Sequence, residues 1–381
     1  MKSNLSTICD YRKGKVDVAT LTHLSYISTE NMLPNKGGIT SAASLPTISQ
    51  TQEYRKGDVL VSNIRPYFKK IWKAKTDGGC SNDVLVFAAK DGTDPDFLYY
   101  VLADDSFFEY SMATSKGTKM PRGDKTSIMR YQVPAIDIST QRRIASILRS
   151  LDDKIELNTA INNNLQEQAR ALYRSWFVDF EPFDGSKPSN WKNGRLKDVL
   201  SLQRSSIKAG ENTSLPYLPI DIIPMNTFGL SDVKPNEEAQ SSLITFSKDD
   251  IVIGAMRVYF HRVIIAPFDG ITRTTCFTLR PFNADYLGFS LLCCDQDSSI
   301  EYAQQTSKGS TMPYAVWDGG LGDMEIPIPD PKTAHRFNEI VMPMIRIIQS
   351  SFAENKNLRE LRDSLLPRLM SGELDVSDLD L

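Results

Sequence analysis

The chain is written twice, and no other feature restricts its fold as much. Residues 54–78, YRKGDVLVSNIRPYFKKIWKAKTDG, align with residues 246–270, FSKDDIVIGAMRVYFHRVIIAPFDG, at an offset of 192 with eight of 25 positions identical. Ordinary composition gives about one or two. The identities include Asp58/Asp250, Arg65/Arg257, Tyr67/Tyr259, Phe68/Phe260 and Gly78/Gly270. The same offset sets SKGTKMP (115–121) opposite SKGSTMP (307–313), five of seven identical. At 193 a third region aligns: VPAI (133–136) with IPIP (326–329), Arg143 with Arg336, Leu165 with Leu358 and Leu172 with Leu365. A period of half the chain means a duplicated domain, not a solenoid of short repeats.

Each half follows one plan. Short Val/Ile/Leu runs such as DVLVSNI and DIVIGAM read as half-buried or buried strands. A glycine-containing basic loop, SKG[TS]xMP, comes next, and a long helical segment closes the half. The first helix is expected to start near Ser139 and Thr140, either of which can cap it. Its heptad sites 144, 148, 151, 155, 158, 162, 165, 169, 172 and 176 hold Ile, Leu, Leu, Ile, Asn, Asn, Leu, Ala, Leu and Trp. The matching sites from 337 to 369 hold Phe, Val, Met, Ile, Ser, Asn, Leu, Arg, Leu and Leu. Alternating steps of three and four residues make a seam for a partner helix. Both seams turn polar at the centre, at Asn158 and Asn162 and at Ser351 and Asn355, so an antiparallel pair would bring polar groups together. The competing reading is two separate amphipathic helices, each packed on its own domain. Pro343 predicts a kink or a shortened coil near the start of the second helix. Residues 179–192 combine Pro, Gly and Ser and read as the connection between halves. The last ten residues, GELDVSDLDL, are acidic and expected to fray. Helices of about 36 residues span ~54 Å. Antiparallel, they would hold two similar heads apart, a geometry for a long ligand that repeats along its axis.

Composition narrows the class. With 381 residues the chain suits two domains or more. Hydrophobic residues at 41% and charged residues at 24% are globular values. No apolar run reaches the ~20 residues of a membrane span, and MKSNLSTICDYRKGK has no apolar leader core, so a cytoplasmic protein with no membrane partner is expected. Five cysteines, odd in number and without a CxxC pair, read as buried reduced thiols. A net charge of −3 argues mildly against a small DNA-binding module. It hides an asymmetry: residues 1–139 carry 18 Lys+Arg against 15 Asp+Glu, and residues 191–330 carry 12 against 17.

No catalytic constellation emerges. GxxxxGK[ST], HExxH, GxSxG and a strand-borne GxGxxG are all absent. The three histidines, His23, His261 and His335, have no metal-ligand neighbour at helical spacing, and solvated or capping roles are expected of His261 and His335. The acidic pairs Asp152-Asp153, Glu237-Glu238 and Asp249-Asp250 are adjacent in sequence, so their side chains diverge and read as solvated faces. For Asp58 and Asp250, turn chemistry before a strand suffices.

Basic and aromatic clusters do recur in both halves. One is Arg65, Tyr67, Phe68, Lys69, Lys70, Lys73 and Lys75, opposite Arg257, Tyr259, Phe260, His261 and Arg262, with Arg273 a little later. Arginine can bond guanine edges and lysine neutralises phosphate. Strand alternation predicts Tyr67 and Phe68 on opposite faces, one of them in the core. The second cluster is the SKG loop, with Lys116, Thr118, Lys119, Arg122 and Lys125 in one half and Lys308 and Ser310 in the other. Glycine allows close backbone approach, and Lys, Ser and Thr suit phosphate oxygens. A solvated turn before a strand is the plainer reading of each loop.

These residues resemble the specificity subunit (HsdS) of type I restriction-modification systems. The resemblance runs over nearly the whole chain. Its carriers are KGDVLVSNIRPYF and KDDIVIGAMRVYF, the two SKG loops, the stretch VPAIDISTQRRIASILRSLDDKIELNTAINNNLQEQARALYRSWFVDFEPF, and NKNLRELRDSLLPRLMSGEL as a second copy of that stretch. The second copy departs at its start, with KTAHRF where the first has STQRRI.

The resemblance implies an α+β chain of two tandem mixed α/β target-recognition domains, each followed by a long helix, the two helices forming an antiparallel coiled coil with pseudo-twofold symmetry. On this chain the first recognition domain is 1–138, the first spacer helix and linker 139–180, the second domain 181–331, and the second spacer helix with the acidic tail 332–381. It further implies that each domain reads half of a split, asymmetric site in double-stranded DNA, using residues among Arg65, Tyr67, Lys69, Lys70, Lys116, Thr118, Lys119, Arg122, Arg257, Tyr259, His261, Arg262, Arg273, Lys308 and Ser310. The implied partners are two modification (methyltransferase) subunits and restriction (translocase and nuclease) subunits. The chain itself would be non-catalytic and bind no cofactor, with S-adenosylmethionine, ATP and Mg2+ in the partners. Two rivals remain at this point: a duplicated hydrolase or transferase with a non-standard site, and a protein scaffold with duplicated heads that never touches nucleic acid.

Overall fold

In the computed structural model the described residues are 2–212, 214–240 and 242–376. The chain divides into two compact units, one formed by residues 1–153 with 358–381 and the other by residues 154–357.

In the first unit a four-stranded antiparallel sheet has the order Cys9–Tyr11, Val84–Ala89, Val59–Ser62, Ile71–Lys73. Its central strand is buried on both faces. Val59 and Val61 pack with Phe87, Phe97 and Phe107, while Leu60 packs with Tyr54, Cys80 and Val86. That is why DVLVS reads as a continuous apolar run and not as an alternation. A second sheet joins Lys15–Asp17, Gln50–Tyr54, Gly78–Cys80 and Tyr26–Ile27. Two short helices, Pro95–Ala103 and Asp105–Ala113, cover the first sheet.

The second unit repeats this plan. Leu200–Leu202, Cys276–Pro281, Ile251–Gly254 and Val263–Ile265 form the four-stranded sheet. Ser206–Ile207, Leu243–Phe246 and Gly270–Arg273 form the other, and Leu287–Cys294 and Asp297–Gln305 are the helices. A two-stranded ribbon ties the ends of each repeat together, Lys2–Asn4 with Gln132–Pro134 in the first and Lys192–Arg195 with Glu325–Ile328 in the second. The repeat is therefore longer than the sequence blocks showed. The opening strands, KSN and KNGR, share too few residues to align.

The long helices are Ile138–Phe177 and Pro331–Ser371. All ten heptad sites in each are buried or half-buried. Both helices also pack on domain cores: Ile144 and Leu148 in the first unit, Ala169, Tyr173, Trp176 and Phe337 in the second. Within the second unit Asn158 meets Asn355 and Trp176 meets Phe337, so the helices run antiparallel there.

Three expectations about the helices change. Ser139 and Thr140 do not cap the first helix. Asp137 does, accepting from their backbone N–H groups at 3.0 and 3.1 Å while their hydroxyls donate to its carboxylate. Asp330 plays the same part for Lys332 and Thr333, so the diverged start KTAHRF begins as its counterpart does. Second, the helix continues through Pro343 and Pro367. Both prolines are exposed, as are Glu339 and Asp363 four residues before them, so the carbonyls left without a donor can turn to water. Third, the tail is not wholly frayed. Leu374 N–H donates to the Arg368 carbonyl and Val376 is buried in the first core. Residues 377–381 lie outside the described residues.

Candidate nucleic-acid interface

The most closely repeated piece of local structure is a turn that the sequence reads as strand. Val59–Ser62 and Ile251–Gly254 end early. Single turns of 3-10 helix follow, Pro66–Phe68 and Val258–Phe260. Each is bracketed by two non-glycine residues in the left-handed region: Arg65 and Lys69 at φ 50° and 50°, Arg257 and His261 at 51° and 51°. Each costs about 1 kcal/mol or more to hold there. Tyr67 and Phe68 therefore do not alternate across a sheet. Both project outward, 50% and 38% exposed, their ring centroids 4.7 Å apart. Tyr259 and Phe260 match them at 45% and 36% exposed and 4.9 Å.

The SKG loop buttresses the turn in both units. Lys116 and Arg122 exchange backbone hydrogen bonds at 2.9 and 3.0 Å, Lys308 and Tyr314 at 2.9 Å each. Glycine opens each loop at a left-handed φ, 92° at Gly117 and 89° at Gly309, which residues with a Cβ resist. Arg65 N–H then donates to the Pro121 carbonyl at 2.8 Å and Arg257 N–H to the Pro313 carbonyl at 2.8 Å. A third segment, which sequence comparison did not find, holds the far side. Lys36 N–H donates to the Lys69 carbonyl at 2.9 Å and Asn226 N–H to the His261 carbonyl at 2.8 Å, from left-handed residues in both cases.

The candidate side chains divide into three groups. Arg65, Tyr67, Thr118, Lys119, Arg257, Tyr259, Arg273, Lys308 and Ser310 are exposed. Among the described residues their side chains make no ion pair and no hydrogen bond. Arg273 stands apart from the turn at the end of its strand, opposite Leu243 in the other sheet.

Lys69, Lys116 and Arg122 have acidic partners: Asp105 at 2.7 Å, Asp124 at 2.6 Å and Asp83 at 3.2 Å. The hydrogen bond from Lys116, with those from Ser127, holds the Asp124 carboxyl down at about 2.

Lys70, His261 and Arg262 turn inward. The Lys70 ammonium donates to the Thr29 carbonyl at 2.6 Å, and burial lowers its pKa. Arg262 donates to the Ile220 and Asp221 carbonyls at 2.7 and 3.1 Å and also to that of Ile223, which anchors the loop preceding Asn226. His261 is buried, not solvated. Its Nε2 lies 2.9 Å from Asp295 Oδ1, and Asp295 also takes a bidentate pair from Arg170 at 2.6 and 3.0 Å. Spacing could not reveal this cluster, because its members come from a helix, a turn and a helix end far apart in the chain.

The carboxylates read as turn formers have a larger role. Asp58 takes Arg12 at 2.8 and 2.5 Å and Asp250 takes Arg280 at 2.7 and 2.8 Å. Asp250 is 1% exposed, so it is not on a solvated face. Among the described residues no group of three or more His, Cys, Asp or Glu is placed to hold a metal ion. No helix among them is long and apolar enough to cross a membrane. A cavity of about 430 Å³ lies beside the first turn, lined by Tyr67, Lys69, Phe108, Glu109, Met112 and Ala113.

Fold and surface together define a duplicated α+β protein, with one exposed basic-aromatic turn in each repeat and a pair of long antiparallel helices. Residues 2–167 match the family model described as the type I restriction modification DNA specificity domain. Over 319 residues the chain is 26% identical to the type I restriction enzyme MjaIX specificity subunit of Methanocaldococcus jannaschii, covering 76% of this chain and 71% of that one. It is 24% identical over 448 residues to the HindI specificity subunit of Haemophilus influenzae, covering 94% and 96%. Its fold is similar to the crystal structure of the type I restriction-modification S subunit from M. genitalium, with TM-score 0.62, 16% identity, and 99% and 96% of the two chains covered. Residues 2–167 thus carry the sequence of a type I restriction modification DNA specificity domain, and most of the chain is similar to type I specificity subunits.

Proposed function

We propose that this chain selects the target of a type I restriction-modification complex, each unit reading one half of a bipartite, asymmetric site in double-stranded DNA and the paired helices setting the gap between the halves. Two modification subunits dock on the helical region and restriction subunits join them. S-adenosylmethionine, ATP and Mg2+ are held in those partners and none in this chain, and the complex works in the cytoplasm. The observation that carries the reading is the turn built twice to the same backbone geometry, each time with an exposed arginine and tyrosine whose polar groups have no hydrogen-bond or ion-pair partner among the described residues, beside a glycine loop. Free guanidinium and ammonium groups suit a polyanion. Outside the turn the units differ, for example in the loops before Asn35 and Asn226, so the half-sites should differ.

Mapping methylated adenines across the host genome, with and without this chain, tests the proposal. A split motif that vanishes on deletion is expected, and an unchanged pattern overturns it. Removing one heptad within 150–172 should change the gap and leave both half-site sequences alone. Altered bases at an unchanged gap would remove the helices from that role. A scaffold that ignores DNA would show neither a motif nor salt-dependent retention on DNA.

A further inference from the structure

The proposal that both units read DNA leaves open what the duplicated turn contacts. We infer that the turn grips the phosphate backbone, the part of DNA common to both half-sites, and leaves the choice of bases to segments that the two units do not share. This rests on the DNA-reading proposal and divides the work within it.

Conformational identity is the first argument. Arg65 and Arg257 sit at φ 50° and 51°, each bonded through its N–H to a loop proline carbonyl at 2.8 Å. The same Arg-x-Tyr-Phe order follows both. Two side chains launched from the same backbone in the same setting present the same donors to whatever lies opposite. They cannot tell unlike half-sites apart, but they can address phosphate, which carries no sequence information.

Charge is the second argument. The two ends of each turn are unlike. At the Lys69 end the ammonium is spent on Asp105 at 2.7 Å, and at the His261 end the imidazole is spent on Asp295 at 2.9 Å. At the arginine end the guanidinium is exposed, and no described residue takes it up. That end adjoins the SKG loop with its exposed Lys119, or Lys308 and Ser310. A free arginine beside Ser, Thr, Lys and glycine backbone is a combination suited to phosphate oxygens.

Divergence close by is the third argument. The helices Asp105–Ala113 and Asp297–Gln305 share Asp, Ser, Glu and Tyr at 105, 106, 109 and 110. They part at Met112 and Ala113, where Gln304 and Gln305 stand in the second unit, all four exposed. Apolar groups suit a thymine methyl and glutamine suits adenine, so differences of this kind can discriminate where the turn cannot.

The test uses Arg65→Gly, Arg257→Gly and the double variant in the full chain assembled with its partner subunits. Glycine accepts a φ near +50° without strain, so a fall in affinity is not a fall in folding, and thermal melts verify it. The probes are a duplex carrying the site mapped from adenine methylation and an unrelated duplex of equal length. Each substitution should weaken binding to both by the same factor, about tenfold, and lower the slope of log affinity against log salt by about one. The methylated motif should stay as it is, and Arg65→Lys should keep most of the affinity. A loss confined to the site-bearing duplex, or a changed motif, overturns the inference by making the arginines base readers. Unchanged DNA affinity with failed assembly overturns it in favour of a protein partner. Wild-type complex without salt-dependent, site-preferring binding would instead sink the DNA-reading proposal, and would show before any variant is made.

Discussion

Asn158 Nδ2 donates to Asn355 Oδ1 at 2.9 Å across the paired helices, with both residues buried. A second bond from Asn158 reaches Glu354 at 2.7 Å, and Asn355 lies 3.4 Å from the Thr159 hydroxyl. A bonded amide pair at the polar centre of a largely apolar seam fixes register, because a slip moves both amides toward the apolar sites on either side. Asn158→Leu alone leaves Asn355 buried without its donor and should cost about 1–3 kcal/mol. Asn158→Leu with Asn355→Leu should restore or exceed wild-type stability. Urea denaturation of the two singles and the double gives the coupling directly, and additive losses would show that the pair does not act as a unit.

The buried carboxylates before the central strands make a second prediction. Asp250 bonds to Arg280 and Asp58 to Arg12. The two cations come from different positions in the repeated sheet: Arg280 from Cys276–Pro281, directly beside the central strand of its unit, and Arg12 just after Cys9–Tyr11, the edge strand of its own. The acid is thus kept in place while its partner changes strand. Arg280→Ala strands a carboxylate that is 1% exposed and should lower unfolding stability by about 3 kcal/mol. Arg280→Lys keeps the charge but loses the bidentate fit and should fall between, as read by chemical denaturation.

Sequence reasoning reached the duplication and the helical seam because both are periodic. Ile144, Leu148 and Asn158, like Phe337, Ser351 and Asn355, recur at spacings that only a helix turns to one side. The exposed turn was misread for an equally physical cause. Glycine is the usual sign of left-handed backbone, yet Arg65 and Arg257 hold that conformation by donating to the Pro121 and Pro313 carbonyls, and Lys69 and His261 by accepting from Lys36 and Asn226, tertiary partners that no local pattern discloses. His261 was lost in the same way, since its partner Asp295 lies 34 residues on. Lys119 and Lys308 were legible as surface groups because lysines in glycine-containing loops have few ways to be buried. Which basic residues would be paired depended on Asp105, Asp124 and Asp83, whose proximity comes from the fold.

The Lys116–Asp124 lock predicts a pH dependence for the first SKG loop. With its carboxyl held at about 2 against an ordinary 3.8, Asp124 favours the folded loop most where it is ionised in both states, above pH 4. That contribution falls as pH drops from about 4 and is gone once the pH has passed through about 2. NMR titration of the Asp124 carboxyl should show the depressed midpoint, and Lys116→Met should move it back toward the ordinary value. In the second loop the position equivalent to Asp124 holds Val316, which cannot ionise, so that loop should show no matching transition.

The five thiols make the last prediction. Cys9, Cys80, Cys276, Cys293 and Cys294 are all buried and unpaired with one another. Burial pushes Cys9 and Cys80 up to about 12 and Cys276 and Cys293 to about 11, and raises Cys294 as well. The thiolate is the nucleophile, so at pH 8 each of these groups is both protonated and screened from reagent. Native protein treated with an alkylating maleimide at pH 8 should carry no label by intact mass. After unfolding in guanidinium the same treatment should add five. Labelling that proceeds at the rate of global unfolding would confirm that burial protects the thiols, whereas one fast site in the native protein would place that cysteine in a locally open segment.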